Sequence, residues 1–177
     1  MTHPISYRLA NIDDVLTICE LGQTLNAIHH VARPDIFTDA TTEFGRDKMH
    51  WLSSLQDEDR ATFLAERGSK AVGFVTVQVV KSLSPILQPM VVGRIGSIAV
   101  SELFRGSGVG STLMKIAEGW ALKHGAADMR LAVWEFNQQA VDFYQELGYE
   151  IRAFEMGKRV QTSADLAVNG LVEASSE

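Results

Sequence analysis

Residues 95–120, IGSIAVSELFRGSGVGSTLMKIAEGW, constrain what this chain can fold into more than any other stretch. They predict a buried strand, a short glycine-rich turn, and an amphipathic helix opening near Gly108. The turn, Arg105-Gly106-Ser107-Gly108-Val109-Gly110, holds three glycines, which reach positive φ cheaply and let another group approach the backbone. Val109, Leu113, Ile116, Ala117 and Trp120 recur at helical spacing. Lys123 and His124 sit in the last turn and Gly125 follows, a proper stop. The first N–H groups of such a helix have no intrahelical partner, and the helix dipole adds partial positive charge there. Strand, glycine turn and helix N-terminus together suit a phosphate group.

The rest of the chain supplies partners for that unit. Residues 5–9 read as a strand. Asn11 is placed to cap a helix with Asp13 and Asp14 in its first turn, and Val15, Ile18, Cys19, Gly22 and Leu25 give it an apolar side to about residue 30. Pro34 stops it. Thr41 or Thr42 is expected to cap a second helix through about residue 55. Residues 61–66 and 71–80 read as a hairpin around Gly68-Ser69. A loop over 81–89 carries Leu83, Ile86 and Leu87. Residues 90–100 form a long strand in which Gly93 and Gly96 mark a bulge or a close backbone approach. A strand over 129–134 follows the central helix. Asn137 caps a last helix with Ala140, Val141, Tyr144 and Leu147 on adjoining positions and Gly148 as its stop, and 150–156 read as a final strand. The order β α α β β β α β α β predicts an α/β (α+β layered) domain with a mixed central sheet of about six strands and helices on both faces.

Length and charge narrow the function. At 177 residues the chain is long enough for one domain with a real core. One domain is expected over 1–160, with a small, polar tail over 161–177 that frays or is held by a partner chain. A net charge of −6 with no basic block argues against nucleic-acid binding. A lone cysteine, Cys19, leaves no internal disulfide and no cysteine metal cluster. No apolar run is long enough for a bilayer and the first residues carry no apolar signal core, so no membrane role and a cytoplasmic location are the expectation. The exposed apolar loop over 81–89 predicts a homodimer.

The glycine turn fits none of three common motifs. A dinucleotide fingerprint needs G-x-G-x-x-G and an acid about twenty residues on; Glu135 comes too late. A Walker loop needs G-K-[ST], and Gly110-Ser111 has no lysine. A nucleophile elbow needs G-x-S-x-G, which neither Ser107 nor Ser111 satisfies. On the glycines alone, tight turning and phosphate binding stay equally open.

Two patterns together decide between them. Residues 105–110 resemble the R/Q-x-x-G-x-G/A signature of the GNAT superfamily of acyl-CoA-dependent N-acetyltransferases. Residues 137–149, NQQAVDFYQELGY, are similar to its N-x-x-A-x-x-F-Y-x-x-L-G-[FY] helix. The patterns lie in the family's order and separation. The resemblance is specific over 91–149 and rests on element order before that. It implies that acetyl-CoA is the acyl donor, with no metal. Its pyrophosphate would lie on the backbone of Arg105, Gly106, Ser107, Gly108, Val109, Gly110 and Ser111. The strand residues Ile98, Ala99 and Val100 would line its pantetheine arm, where the family's strand splays from its neighbour at a bulge. Ile98 and Val100 would hold the arm by main-chain groups.

Acetyl transfer needs a neutral amine, a stabilised oxyanion and a protonated leaving thiol. With the family pattern, Tyr144 is the candidate acid; on spacing alone it is a packing tyrosine. Asn137 is a preferred N-cap, and the resemblance adds contact with the CoA arm. No general base stands out: Glu66 ends a strand, Glu135 follows one, and His29 and His30 end a helix. Cys19 and the tryptophans Trp51, Trp120 and Trp134 read as packing. The acceptor, a small-molecule or peptide amine, would lie between residues 23–38 and 81–89. A non-catalytic acyl-CoA-binding module is the alternative.

Overall fold

The computed structural model describes residues 3–82 and 85–160, in two compact units, Met1–Val141 and Asp142–Glu177. The first holds a five-stranded sheet of β1 (Ile5–Leu9), β2 (Arg60–Arg67), β3 (Lys70–Lys81), β4 (Val91–Val100) and β5 (Asp128–Arg130), in that spatial order. All neighbours are antiparallel except β4 and β5. Gly68, at φ 64°, makes the tight β2–β3 turn that the sequence predicts.

β3 is buried from Val72 to Val77, as an apolar run covered on both faces requires. Its neighbours Gly73 and Phe74 show how the layers divide. Phe74 packs with Ile18, Leu64 and Ala99, against Leu25 of α1 (Val15–Ala32) and Trp51 and Leu55 of α2 (Gly45–Leu55). A Cβ on Gly73 would instead stand 3.4 Å from Leu113 of α3 (Val109–Lys123). Successive strand residues point to opposite faces, so α1 and α2 cover one side of the sheet and α3 the other.

The α1 entrance follows its sequence signal. Asn11 Oδ1 accepts from the Asp13 amide and Asp14 Oδ2 accepts from the Asn11 amide, each at 2.8 Å, around a short 3-10 turn at Ile12–Asp14. The α2 entrance departs from it. The helix starts at Gly45 after Phe44, with no side-chain cap. Thr41 Oγ1 accepts instead from the Glu43 amide at 3.0 Å, closing a turn ahead of the helix. The α3 exit is a Schellman cap: Gly125 has φ 86°, and Ala126 N donates to Ala121 O at 3.0 Å.

Two expected strands change. β5 stops at Arg130 rather than running to Trp134, because its pairing with β4 covers only three residues. The strand expected over 150–156 is not formed. Those residues carry no ladder, and Ile151, Phe154 and Met156 are exposed. Alternating apolar residues make pairing favourable, but a strand forms only where a partner completes its hydrogen bonds. The sheet of the described residues therefore has five strands, not six.

The last helix, α4 (Gln138–Glu146), begins in the first unit and ends in the second. Gly148, at φ 90°, stops it, and Tyr149 N donates to Tyr144 O at 3.0 Å. The tail over 161–177 and Leu83 lie outside the described residues.

Candidate active site

The site is built on an irregularity in β4. Val75 pairs with Ile98 and Val77 with Ile95, so Thr76 faces both Gly96 and Ser97. One extra residue in β4 makes a β-bulge. Ser97 N, out of the ladder, donates to Thr76 Oγ1 at 2.8 Å. A Cβ on Gly96 would stand 2.8 Å from that same oxygen, which is why a glycine is needed there. Gly93 answers a different demand: its Cβ would come within 2.7 Å of Ala121 on α3.

Beyond the bulge one edge of β4 is open. β5 pairs only with Val92, Gly93 and Arg94, so no strand among the described residues continues alongside residues 95–100 on that side. Ser101 N donates to Val72 O at 2.8 Å, on the β3 side. The antiparallel alternation then turns the Ala99 amide to β3 and the Ile98 and Val100 amides away from it. Ala99 is thus not brought to the open edge, and its side chain is in the core. The Val100 carbonyl accepts from Arg105 Nε at 3.2 Å, which ties the glycine turn to the strand end.

The turn itself is exposed from Arg105 to Gly108, and Gly106 and Gly108 have φ of 70° and 83°. Ser107 Oγ donates to Phe104 O at 2.6 Å. No side chain caps α3. Thr112 N is the first to reach back, to Gly108 O at 3.0 Å, so the amides of Val109, Gly110 and Ser111 lack an intrahelical acceptor. The Val109 side chain is buried in the core, leaving only its amide for the site. Convergent unpaired amides, exposed glycine backbone and the positive end of a helix fit a pyrophosphate group.

Asn137 caps α4: its Oδ1 accepts from Ala140 N at 3.3 Å. In the second unit the Tyr144 ring lies 5.3 Å from Phe143 and 5.9 Å from Tyr149. Burial pushes its phenol up to about 12.

The candidate bases fare unevenly. Glu66 accepts from Arg8 Nη2 at 2.7 Å, a structural ion pair. Glu135 is exposed. His29 Nδ1 and His30 Nδ1 lie 2.7 and 2.8 Å from Leu25 O and Phe37 O. His29 also packs 4.8 Å from Phe37 in an aromatic cluster with Trp134 and Phe136. Cys19 is fully buried, as a packing residue should be.

A cleft of about 190 Å³ opens on the α1/α2 face of the sheet. Gln23 and Asn26 of α1, Asp47, His50 and Trp51 of α2, and the bulge residue Ser97 line it. Gln23 and Asn26 fall within the expected acceptor region; the α2 residues do not. Their i, i+3, i+4 spacing was the available signal. Among the described residues no group of three or more His, Cys, Asp or Glu is placed to hold a metal ion, and no helix is long and apolar enough to cross a membrane.

The acetyltransferase (GNAT) family matches residues 25–149, and the chain belongs to that family. It is 35% identical over 100 residues to an uncharacterized N-acetyltransferase of Methanocaldococcus jannaschii, covering 56% of this chain and 42% of that one. The chain therefore spans less than half the length of that relative. Among solved structures, a mutant Bacillus halodurans protein superposes with a TM-score of 0.80 at 22% identity, covering 88% of this chain and 99% of the other. An aminoglycoside acetyltransferase in complex with a CoA bisubstrate analogue has a TM-score of 0.71 at 18% identity, covering 90% and 99%. These two likenesses are of fold.

Proposed function

We propose that this chain is an N-acetyltransferase that moves an acetyl group from acetyl-CoA directly to a small-molecule amine. The observation that carries the reading is the open edge of β4 at its bulge, next to the uncapped N-terminus of α3. Family membership and a neighbour of the same fold that holds a CoA analogue support it.

When bound, acetyl-CoA supplies an acetyl group already activated as a thioester. The amides of residues 106–111 hold pyrophosphate oxygens, with Arg105 anchoring the turn to Val100. Ile98 N–H and Val100 N–H, facing away from β3, donate to amide groups of the arm, and Asn137 adds a polar contact. A main-chain N–H near the bulge stabilises developing negative charge on the acetyl oxygen, the usual role of a preorganised donor. The family pattern gives Tyr144 the role of general acid that protonates the leaving thiolate, and burial, which pushes the phenol up to about 12, keeps it protonated until that step. The proton lost by the acylated nitrogen passes to solvent, from which the phenol is restored.

Thiol release from acetyl-CoA over a panel of amines tests the reading, with CoA-dependent thermal stabilisation measured alongside. Amine-dependent release with a thermal shift is the expected result. A shift with no release from any amine would establish the alternative, a non-catalytic acyl-CoA-binding module.

A further inference from the structure

The cleft beside Ser97 is lined by one carboxylate, Asp47, whose neighbours are hydrogen-bonded to it and to one another. Gln23 uses both ends of its amide there. Its Nε2 donates to Asp47 Oδ2 at 2.6 Å and to Cys19 O at 3.1 Å, and its Oε1 accepts from Thr41 N at 2.8 Å and Asn26 Nδ2 at 3.3 Å. Gln23 thereby fixes Asp47 against α1 and the segment before α2. Arg46 approaches from the solvent side, Nε to Oδ1 at 2.7 Å and Nη2 to Oδ2 at 3.2 Å.

A carboxylate has about four lone-pair sites. Three are taken here, two on Oδ2 and one on Oδ1, so Oδ1 keeps one. The Asp47 side chain is only 14% exposed, whereas Arg46 is 43% exposed and on the rim. The Arg46 guanidinium holds the Asp47 carboxyl below the usual range, so it remains an anion. A carboxylate held in that form is a poor base and a good partner for a cation. Asn26 gives its amide hydrogen to Gln23, leaving its carbonyl oxygen as a further acceptor on the wall. Trp51, an aromatic side chain of the kind that attracts cations, lines the same cleft. The cleft, about 190 Å³, has room for a short chain.

We infer that Asp47 selects the acceptor: it binds the second, positively charged nitrogen of a short diamine whose other, neutral amine lies toward Ser97. This deepens the acetyl-transfer reading and rests on it. Gln23 acts through Asp47, as a positioning residue. Arg46 competes with the acceptor for the carboxylate and yields to it.

The test compares 1,4-diaminobutane with butylamine, which share a four-carbon chain, by kcat/KM for thiol release. The parent should favour the diamine by roughly 10- to 100-fold, the range of a charge-assisted hydrogen bond. Asp47→Asn keeps the shape and should raise KM for the diamine far more than for butylamine, with the thermal shift from CoA unchanged. Arg46→Ala frees Asp47 and should lower KM for the diamine, a gain no purely structural role predicts. A parent that treats both amines alike or acetylates neither while still binding CoA overturns the inference. So does Asp47→Asn acting equally on both amines, or Arg46→Ala failing to lower KM. Absence of any CoA-dependent shift is the separate result that removes acetyl-CoA use and the inference with it.

Discussion

The amide of Ser97 donates to the side-chain oxygen of Thr76 at 2.8 Å, so a hydroxyl on β3 stands in for the ladder carbonyl that the bulge removes. Thr76 is buried, and directly across β2–β3 from it lies Thr62, whose buried hydroxyl makes no hydrogen bond. The two threonines should respond oppositely to one substitution. Thr76→Val strands the Ser97 amide and should lower stability by about 1–3 kcal/mol, while Thr62→Val removes an unsatisfied hydroxyl and should be neutral or mildly stabilising. Denaturant unfolding of the two variants checks this; equal losses would mean that the bulge does not depend on Thr76.

The glycine turn is tested by a matched pair. Gly108 at φ 83° and Gly125 at φ 86° lie at opposite ends of α3. Valine at either position meets the same backbone strain, about 1–2 kcal/mol. Only Gly108→Val should lose the stabilisation by CoA, which in the parent is ~2.7 kcal/mol at about 100 times the dissociation constant. A full CoA shift in Gly108→Val would move the pyrophosphate site elsewhere.

Tyr144→Phe carries two expectations. The chemical step, read in single turnover, should fall at least ~100-fold, with acetyl-CoA affinity kept. The second concerns alkaline stability. The folded phenol is pushed up to about 12, against an ordinary value of about 10, so the folded state holds this proton more tightly. Its stability contribution is complete below pH ~10 and is lost as pH rises to ~12, by roughly 3 kcal/mol at most. Tyr144→Phe has no such loss. Identical alkaline unfolding curves would show that the phenol ionises freely.

Asp14 has the opposite sign. Arg8, on Asp14 Oδ2 at 2.7 Å, and the Asn11 amide hold its carboxyl below the usual range. That contribution is present above the unfolded value of ~3.9 and lost as pH falls through the lowered folded value. Asp14→Asn should cost about 1 kcal/mol at pH 7, because Arg8 is partly solvated. The gap from the parent should close in acid. A gap that persists at pH 2 would assign the loss to packing.

Ile86 is 90% exposed and Leu87 51%. That exposure predicts contact between copies over this loop and a dimer in solution, of about twice the 19.5 kDa chain. Sedimentation velocity at micromolar concentration checks it; a single monomeric boundary would refute it.

What could be read in the sequence was local. Gly106, Gly108, Gly125 and Gly148 mark positive φ, Asn11 and Asn137 cap helices, and Gly68-Ser69 turns a hairpin, because each acts within a few residues of itself. The periodicity of residues 109–120 likewise needs only a sheet to face. What depended on distant partners was decided by the tertiary structure. Residues 150–156 alternate like a strand but have no ladder, and β5 ends where its pairing with β4 ends, since hydrogen bonds between strands are not a property of either alone. Gly96 was legible as an anomaly, yet the bulge itself lies in the pairing with β3, where Thr76 faces both Gly96 and Ser97. Trp51 reads as a packing residue in the sequence, and Asp47 and His50 carry no motif of their own. Packing α2 beside α1 and above Ser97 gathers them around a cleft, a juxtaposition of residues tens of positions apart that no local pattern encodes.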